Sequence, residues 1–168
     1  MTWTTGPDAG MLRLAQDPSA AHHGCLRCAA EASRHVRLAD IDERPQVTSP
    51  EDAARIVLGE LAGRDREHCV ATLLDTKHRM LSVVTVSVGS VDHTFMRPRE
   101  ILRDALLANA AAVVVAHNHP SGDPEPSRDD ELVSRRIVRA GEVVGIDVLD
   151  HLVVGGARWV SLARRGLL

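Results

Sequence analysis

The sequence predicts a mixed α/β (α+β) domain, one mixed β-sheet flanked by helices. Three observations predict it. Helix-start signals stand at Ser49-Pro50-Glu51-Asp52, Pro98-Arg99-Glu100 and Ser127. Between them lie strand-length runs that alternate or are wholly apolar. Hydrophobic residues make up 44% of the 168, enough for the core of one domain with a short appendage.

Residues 1–47 mix Gly, Pro, Ala, Asp and Arg without sustained periodicity, so they are expected to form an irregular N-terminal segment and linker. A short helix over Cys25–Leu38 is the most structure they offer. The domain is placed at 48–168. Ser49 can cap the free N–H groups of a first helix, Pro50 suits its first position, and Glu51 and Asp52 answer the positive end of its dipole. Ala53, Ile56, Val57 and Leu61 follow at helical spacing, and Gly63 can close the helix. Cys69–Leu74 reads as a strand, Asp75–Arg79 as a polar turn, and Met80–Val88 as its paired strand. Pro98 opens a second helix with Ile101, Leu102, Ala105, Leu106 and Ala108 on its apolar side. Ala111–Ala116 is short and wholly apolar, as a buried central strand is. The loop His117–Pro126 holds three prolines and a glycine. Ser127 starts a third helix, expected to close near Gly141. Val143–Val148 and His151–Val154 read as two strands, and Gly155-Gly156 turns the chain before Arg158–Ser161. The order is α-β-β-α-β-α-β-β.

Composition narrows the function classes. The net charge is -3, without the basic surplus that tight nonspecific nucleic-acid binding needs. Aromatics are 2%, which leaves no stacking platform for single strands. A nucleic-acid partner is thus supported by neither charge nor rings. Three cysteines are too few, and odd in number, for a disulfide framework. No apolar run is long enough to span a bilayer, and no export signal is visible, so a cytoplasmic location and no membrane association are expected.

The chemistry lies in His117-Asn118-His119-Pro120-Ser121-Gly122-Asp123-Pro124-Glu125-Pro126-Ser127-Arg128-Asp129-Asp130. Residues two apart at the end of a strand project to one face, so His117 and His119 can share a metal ion. Asp130, in the first turn of the next helix, can be folded back to join them. Two His and one carboxylate leave a fourth position open, the catalytic zinc pattern. Each part also has a plain reading: Ser127-x-x-Asp130 is a capping box, and an H-x-H pair is often coincidence.

The string from His117 to Ser127, with the later Asp130, resembles the JAMM signature of MPN-domain metalloproteases. With Pro98-Arg99-Glu100 before it and Asp150-His151 after it, it closely resembles the bacterial RadC family, from about Ser49 to the C-terminus. The resemblance implies a JAMM/MPN-like fold, similar in outline to cytidine deaminases. It also implies one Zn2+ per chain, held by His117, His119 and Asp130, and a peptide or protein substrate. Ser127 then matches the serine that stabilises the oxyanion. Glu67, at the start of the first strand, matches the general base, with Glu100 as the alternative. The family's DNA-repair label gives a rival reading, a nuclease or DNA-binding accessory factor, and a non-catalytic MPN-like interaction module is a third. The helix-hairpin-helix region common in RadC proteins has no counterpart in residues 1–47.

Lesser signals are few. His22, His23, Cys25 and Cys28 offer soft metal ligands but lack a second pair at finger spacing. Cys69 reads as a buried strand residue, and His151 as a core histidine or a neighbour of the site. A deaminase would need His-x-Glu and a later Pro-Cys-x-x-Cys, and neither is present.

Overall fold

The computed structural model describes residues 44–89 and 96–168, so the expectations for Cys25–Leu38 and for the Cys25/Cys28 pair fall outside the described residues. The elements are α1 (Pro50–Leu61), β1 (His68–Leu74), β2 (Met80–Val88), α2 (Pro98–Leu107), β3 (Ala112–Asn118), α3 (Arg128–Val144), β4 (Asp147–Gly155) and β5 (Arg158–Ser161). The five strands form one sheet in the order β2-β1-β3-β4-β5. Only β3 and β4 pair in parallel. A parallel pair needs a crossover, and α3 supplies it. Among the described residues no helix is long and apolar enough to cross a membrane.

β3 is buried along its whole length because both faces of the sheet are covered. Its residues alternate. Ala112, Val114 and Ala116 join Ala53, Val57 and Leu61 of α1 in one apolar cluster. Val113 and Val115 join Ile101, Leu102 and Ala105 of α2 and Ile137 of α3 in the other. Each fully buried Val, Leu or Ile side chain in these layers contributes roughly 1.5–3 kcal/mol relative to exposure. Before α1, the chain pairs with the β1–β2 turn through a bridge from Gln46 to Arg79, and Val47 enters the α1 cluster.

Three boundaries differ from the sequence reading. β3 runs on through His117 and Asn118, which still have ladder partners in β1 or β4 where a loop was expected. Gly141 does not end α3. The helix passes through it because a Cβ there would stand 2.5 Å from the Ile146 carbonyl oxygen, and the left-handed cap is Gly145 at φ 72°. Val143 and Val144 are therefore helical, and the two expected strands are one, β4, broken by a register shift. Val148 pairs with Val113 and Asp150 with Val114, so Leu149 is the extra residue of a bulge. The bulge reverses the alternation beyond it and turns His151 to the α3 face.

Candidate metal centre

Two elements build the site by local rules. β3 ends in His117-Asn118, and the chain holds its course for one more residue because the His119 N–H donates to the Val154 carbonyl at 2.7 Å. His117 and His119 consequently lie on the same side, continuing the row of Val113 and Val115. α3 begins with a full capping box. The Ser127 hydroxyl accepts from the Asp130 N–H at 3.2 Å, and the Asp130 carboxylate accepts from the Ser127 N–H at 2.7 Å and hydroxyl at 2.6 Å. The cap swings the Asp130 carboxylate back over the helix end, toward β3.

The three groups meet there. His117 Nε2 lies 3.0 Å from His119 Nε2. His117 Nε2 is 3.2 Å from Asp130 Oδ1, and His119 Nε2 is 3.6 Å from Asp130 Oδ2. Neighbouring donor atoms around a tetrahedral zinc with bonds near 2.0–2.1 Å stand about 3.4 Å apart, and these separations bracket that value. The remaining ring nitrogens are engaged: His119 Nδ1 meets the Asp123 carbonyl at 2.9 Å, and His117 Nδ1 meets His151 Nε2 at 2.8 Å. The donor set thus fits one divalent ion of the zinc kind: two imidazole nitrogens and a carboxylate converge on one point.

Burial works against the Asp130 charge, but the groups around it, the His119 imidazole and the Ser127 hydroxyl among them, outweigh burial and hold the carboxyl far below the usual carboxylate range. The Asp130 carboxylate raises the His119 pKa, and the Glu67 charge adds to it. Glu67 is half-buried at the entry to β1 and near enough for His119 to feel its charge. Glu100 instead faces arginines, with Arg103 at 2.8 Å and Arg99 at 3.3 Å.

Asn118, Gly155 and Ser134, to which the sequence reading gave no part in the site, organise this cluster together with His151, which it read as a core histidine or a neighbour of the site. Asn118 is buried between the two histidines. Its amide accepts from the His68 N–H at 2.8 Å and donates to the Arg66 carbonyl at 2.9 Å, gripping the backbone on both sides of Glu67. Gly155 seats the proline-rich loop: a Cβ there would meet Pro124 N at 2.5 Å and Gly122 O at 2.6 Å. His151 is a core histidine, 1% exposed, and also a neighbour of His117. Burial pushes its pKa down to about 3. Ser134, one turn into α3, reaches both His151 Nδ1 and the Asp130 carbonyl. In the sequence, the Asn between two His and the Asp150-His151 pair inside an apolar run were the available signals.

This geometry sits within the segment that matches known proteins. Residues 47–167 match the RadC-like JAB domain. The chain belongs to that family. It is 42% identical over 167 residues to a UPF0758 protein of Roseiflexus castenholzii, covering 98% of this chain and 72% of the relative. It is 39% identical over 143 residues to a UPF0758 protein of Desulforamulus reducens, covering 85% of this chain and 63% of the relative. A UPF0758 protein of Moorella thermoacetica is 43% identical over 143 residues. The chain therefore spans between three fifths and three quarters of the length of these relatives. Their names state no activity. In this RadC-like domain the JAB match, the mixed sheet and the His117, His119, Asp130 group agree on a JAMM/MPN-type fold with a group able to hold a metal ion.

Proposed function

We propose that this RadC-like domain is a zinc-dependent hydrolase of peptide or isopeptide bonds, in the cytoplasm, with one zinc per chain. The observation that carries the reading is the convergence of His117 Nε2, His119 Nε2 and the Asp130 carboxylate, with the Glu67 charge beside them. Two nitrogens and a carboxylate facing one another without an intervening cation are mutually unfavourable unless a proton or a metal joins them. Zinc there would polarise a carbonyl and acidify a water molecule toward neutrality.

The chain's own residues divide the rest of the work. Glu67 takes a proton from the attacking water and delivers it to the leaving amine as the carbon–nitrogen bond breaks. Asn118 keeps Glu67 in place by fixing Arg66 and His68. Ser127 offers its hydroxyl, which now donates to Asp130 Oδ2, to the oxygen that gains charge during attack. His117, the most buried of the three ligands, anchors the site. His119 and Asp130, with side chains 17% and 9% exposed, form its mouth.

The experiment begins with metal content by elemental mass spectrometry. The wild type should carry about one zinc per chain, and His119→Ala almost none. Peptide and isopeptide panels are then screened with the loaded protein. Glu67→Gln should retain zinc and lose turnover. Undiminished turnover in Glu67→Gln would remove Glu67 from the role of base, and a wild type that takes up no zinc would remove the hydrolase reading.

A further inference from the structure

Behind His117 runs a chain of hydrogen bonds whose polarity follows from counting protons. The Ser134 hydroxyl touches the Asp130 main-chain carbonyl and His151 Nδ1. A carbonyl oxygen only accepts, so the single hydroxyl proton of Ser134 goes to it. His151 Nδ1 must then be the N–H that donates to Ser134. Neither nitrogen of His151 touches a carboxylate, and the ring is 1% exposed, so it is neutral and has no second proton. Its Nε2 is an acceptor. That nitrogen lies 2.8 Å from His117 Nδ1, which must donate. His117 is left with a bare Nε2, the atom 3.0 Å from His119 Nε2 and 3.2 Å from Asp130 Oδ1. The opposite polarity would set the Ser134 oxygen lone pairs against the Asp130 carbonyl and place a proton on the His117 nitrogen that faces the site.

We infer that Ser134 and His151 are a positioning relay that locks His117 in its Nδ1–H tautomer and so sets the affinity of the site for zinc. The inference rests on the metal-site reading above. The relay begins at the same residue whose carboxylate belongs to the site, so the first turn of α3 orients both Asp130 and, through two side chains, His117. It also gives the β4 bulge a consequence: if β4 alternated regularly from Val148 through Leu149 and Asp150, His151 would face α1 and could not reach His117. Outer partners of this kind typically contribute 10–100-fold in metal affinity.

The test uses the full chain with His151→Phe, which keeps a ring but no acceptor, and His151→Gln, whose side-chain oxygen can accept from His117. Zinc affinity is measured by competition with a chromophoric chelator, and the His117 tautomer by long-range 15N–1H NMR on the metal-free protein. The wild type should show His117 protonated on Nδ1. His151→Phe should lose about 10–100-fold in zinc affinity and give a mixed tautomer, and His151→Gln should recover most of both. Ser134→Ala, a smaller change, carries the test if His151→Phe does not fold. It should weaken zinc several-fold, because His151 is then free to present either nitrogen. Wild-type zinc affinity and an unchanged His117 tautomer in His151→Phe or Ser134→Ala would overturn the relay alone. A wild type that binds no zinc would overturn the site and the affinity claim with it.

Discussion

The first turns of α1 and α3 use the same chemistry for different ends. In α1, Ser49 accepts from the Asp52 N–H at 3.2 Å, and Asp52 Oδ2 accepts from the Ser49 hydroxyl at 2.9 Å. In α3, Ser127 and Asp130 make the same pair of bonds at 3.2 and 2.6 Å. The difference lies in what each carboxylate faces. Asp52 meets Thr48 and Arg55 near the surface. Asp130, 7% exposed, meets His117 and His119. The Ser-x-x-Asp sequence thus makes a cap in both helices, and its carboxylate joins a group able to hold a metal ion only in α3, where a strand end delivers imidazoles to the same point. Capping and ligation are not rival readings of Asp130. The cap is what aims the Asp130 carboxylate at the two imidazoles.

The largest effect expected from this contrast is on metal. Asp130→Ala should reduce zinc from about one per chain to near zero, whereas Asp52→Ala should leave it at one, both read by elemental mass spectrometry. Asp130→Ala also removes a cap, so His119→Ala serves as the companion that empties the site with the α3 cap intact. Equal zinc in Asp130→Ala and wild type would break the comparison, leaving both serine–aspartate pairs as caps alone.

A smaller loss is expected from Gly155→Ala. Its Cβ would collide with backbone atoms of Gly122, Asp123 and Pro124, which cannot yield as a flexible side-chain end can. The loop must lift, and the Asp123 carbonyl that holds His119 Nδ1 lifts with it. Zinc affinity should fall about tenfold or more, as for other groups that orient a ligand from outside. A Gly155→Ala protein with wild-type affinity would show that His119 needs no help from the loop.

Much of this was legible in the sequence, for physical reasons. Caps are local, so Ser49, Pro98 and Ser127 announced three helix starts that the structure keeps to the residue. Alternation is local, so β2 was bounded correctly at Met80–Val88. Errors arose where a distant contact decides. Gly141 reads as a stop, but its lack of a Cβ serves the close approach of Ile146, and only the packing shows that. The β4 bulge at Leu149 depends on pairing with β3, and a chain read alone shows two short strands in its place. His117, His119 and Asp130 were legible because their spacing encloses one loop. Asn118, Ser134 and Gly155 were not, because each acts through a partner on another element, and His151 was legible as a core histidine or a neighbour of the site without the partners it meets.

Asn118 tests that last group. Asn118→Ala strips the amide from the Arg66 carbonyl and the His68 N–H, and unsatisfied backbone groups at a partly buried position cost about 1–3 kcal/mol. Chemical denaturation of the metal-free protein should show this loss. The mutation leaves all three ligands in place, so zinc stoichiometry should remain near one per chain. Turnover on any substrate found should fall with it, since the clamp around Glu67 is gone. Unchanged stability would mean that water replaces the amide at no cost and that the clamp holds nothing.

The finest contrast between the two caps is Ser49→Ala against Ser127→Ala. Each removes a hydroxyl that accepts a helix N–H, and each should cost about 1 kcal/mol in stability. Only Ser127→Ala should also weaken zinc, because only its hydroxyl steadies a ligand carboxylate. Acid sharpens the difference. The Thr48 hydroxyl and N–H, with the Ser49 hydroxyl, lower the Asp52 pKa from 3.8 to about 2. A carboxyl lowered in the folded state contributes its full stabilisation above the ordinary 3.8 and loses it as pH falls toward 2. Ser49→Ala raises the folded Asp52 pKa, so it has less left to lose over that range. The stability gap between wild type and Ser49→Ala, followed by thermal unfolding without metal, should therefore narrow from pH 5 to pH 2. A gap that stayed constant would assign the Ser49 contribution to its bond with the Asp52 N–H and none of it to the carboxylate.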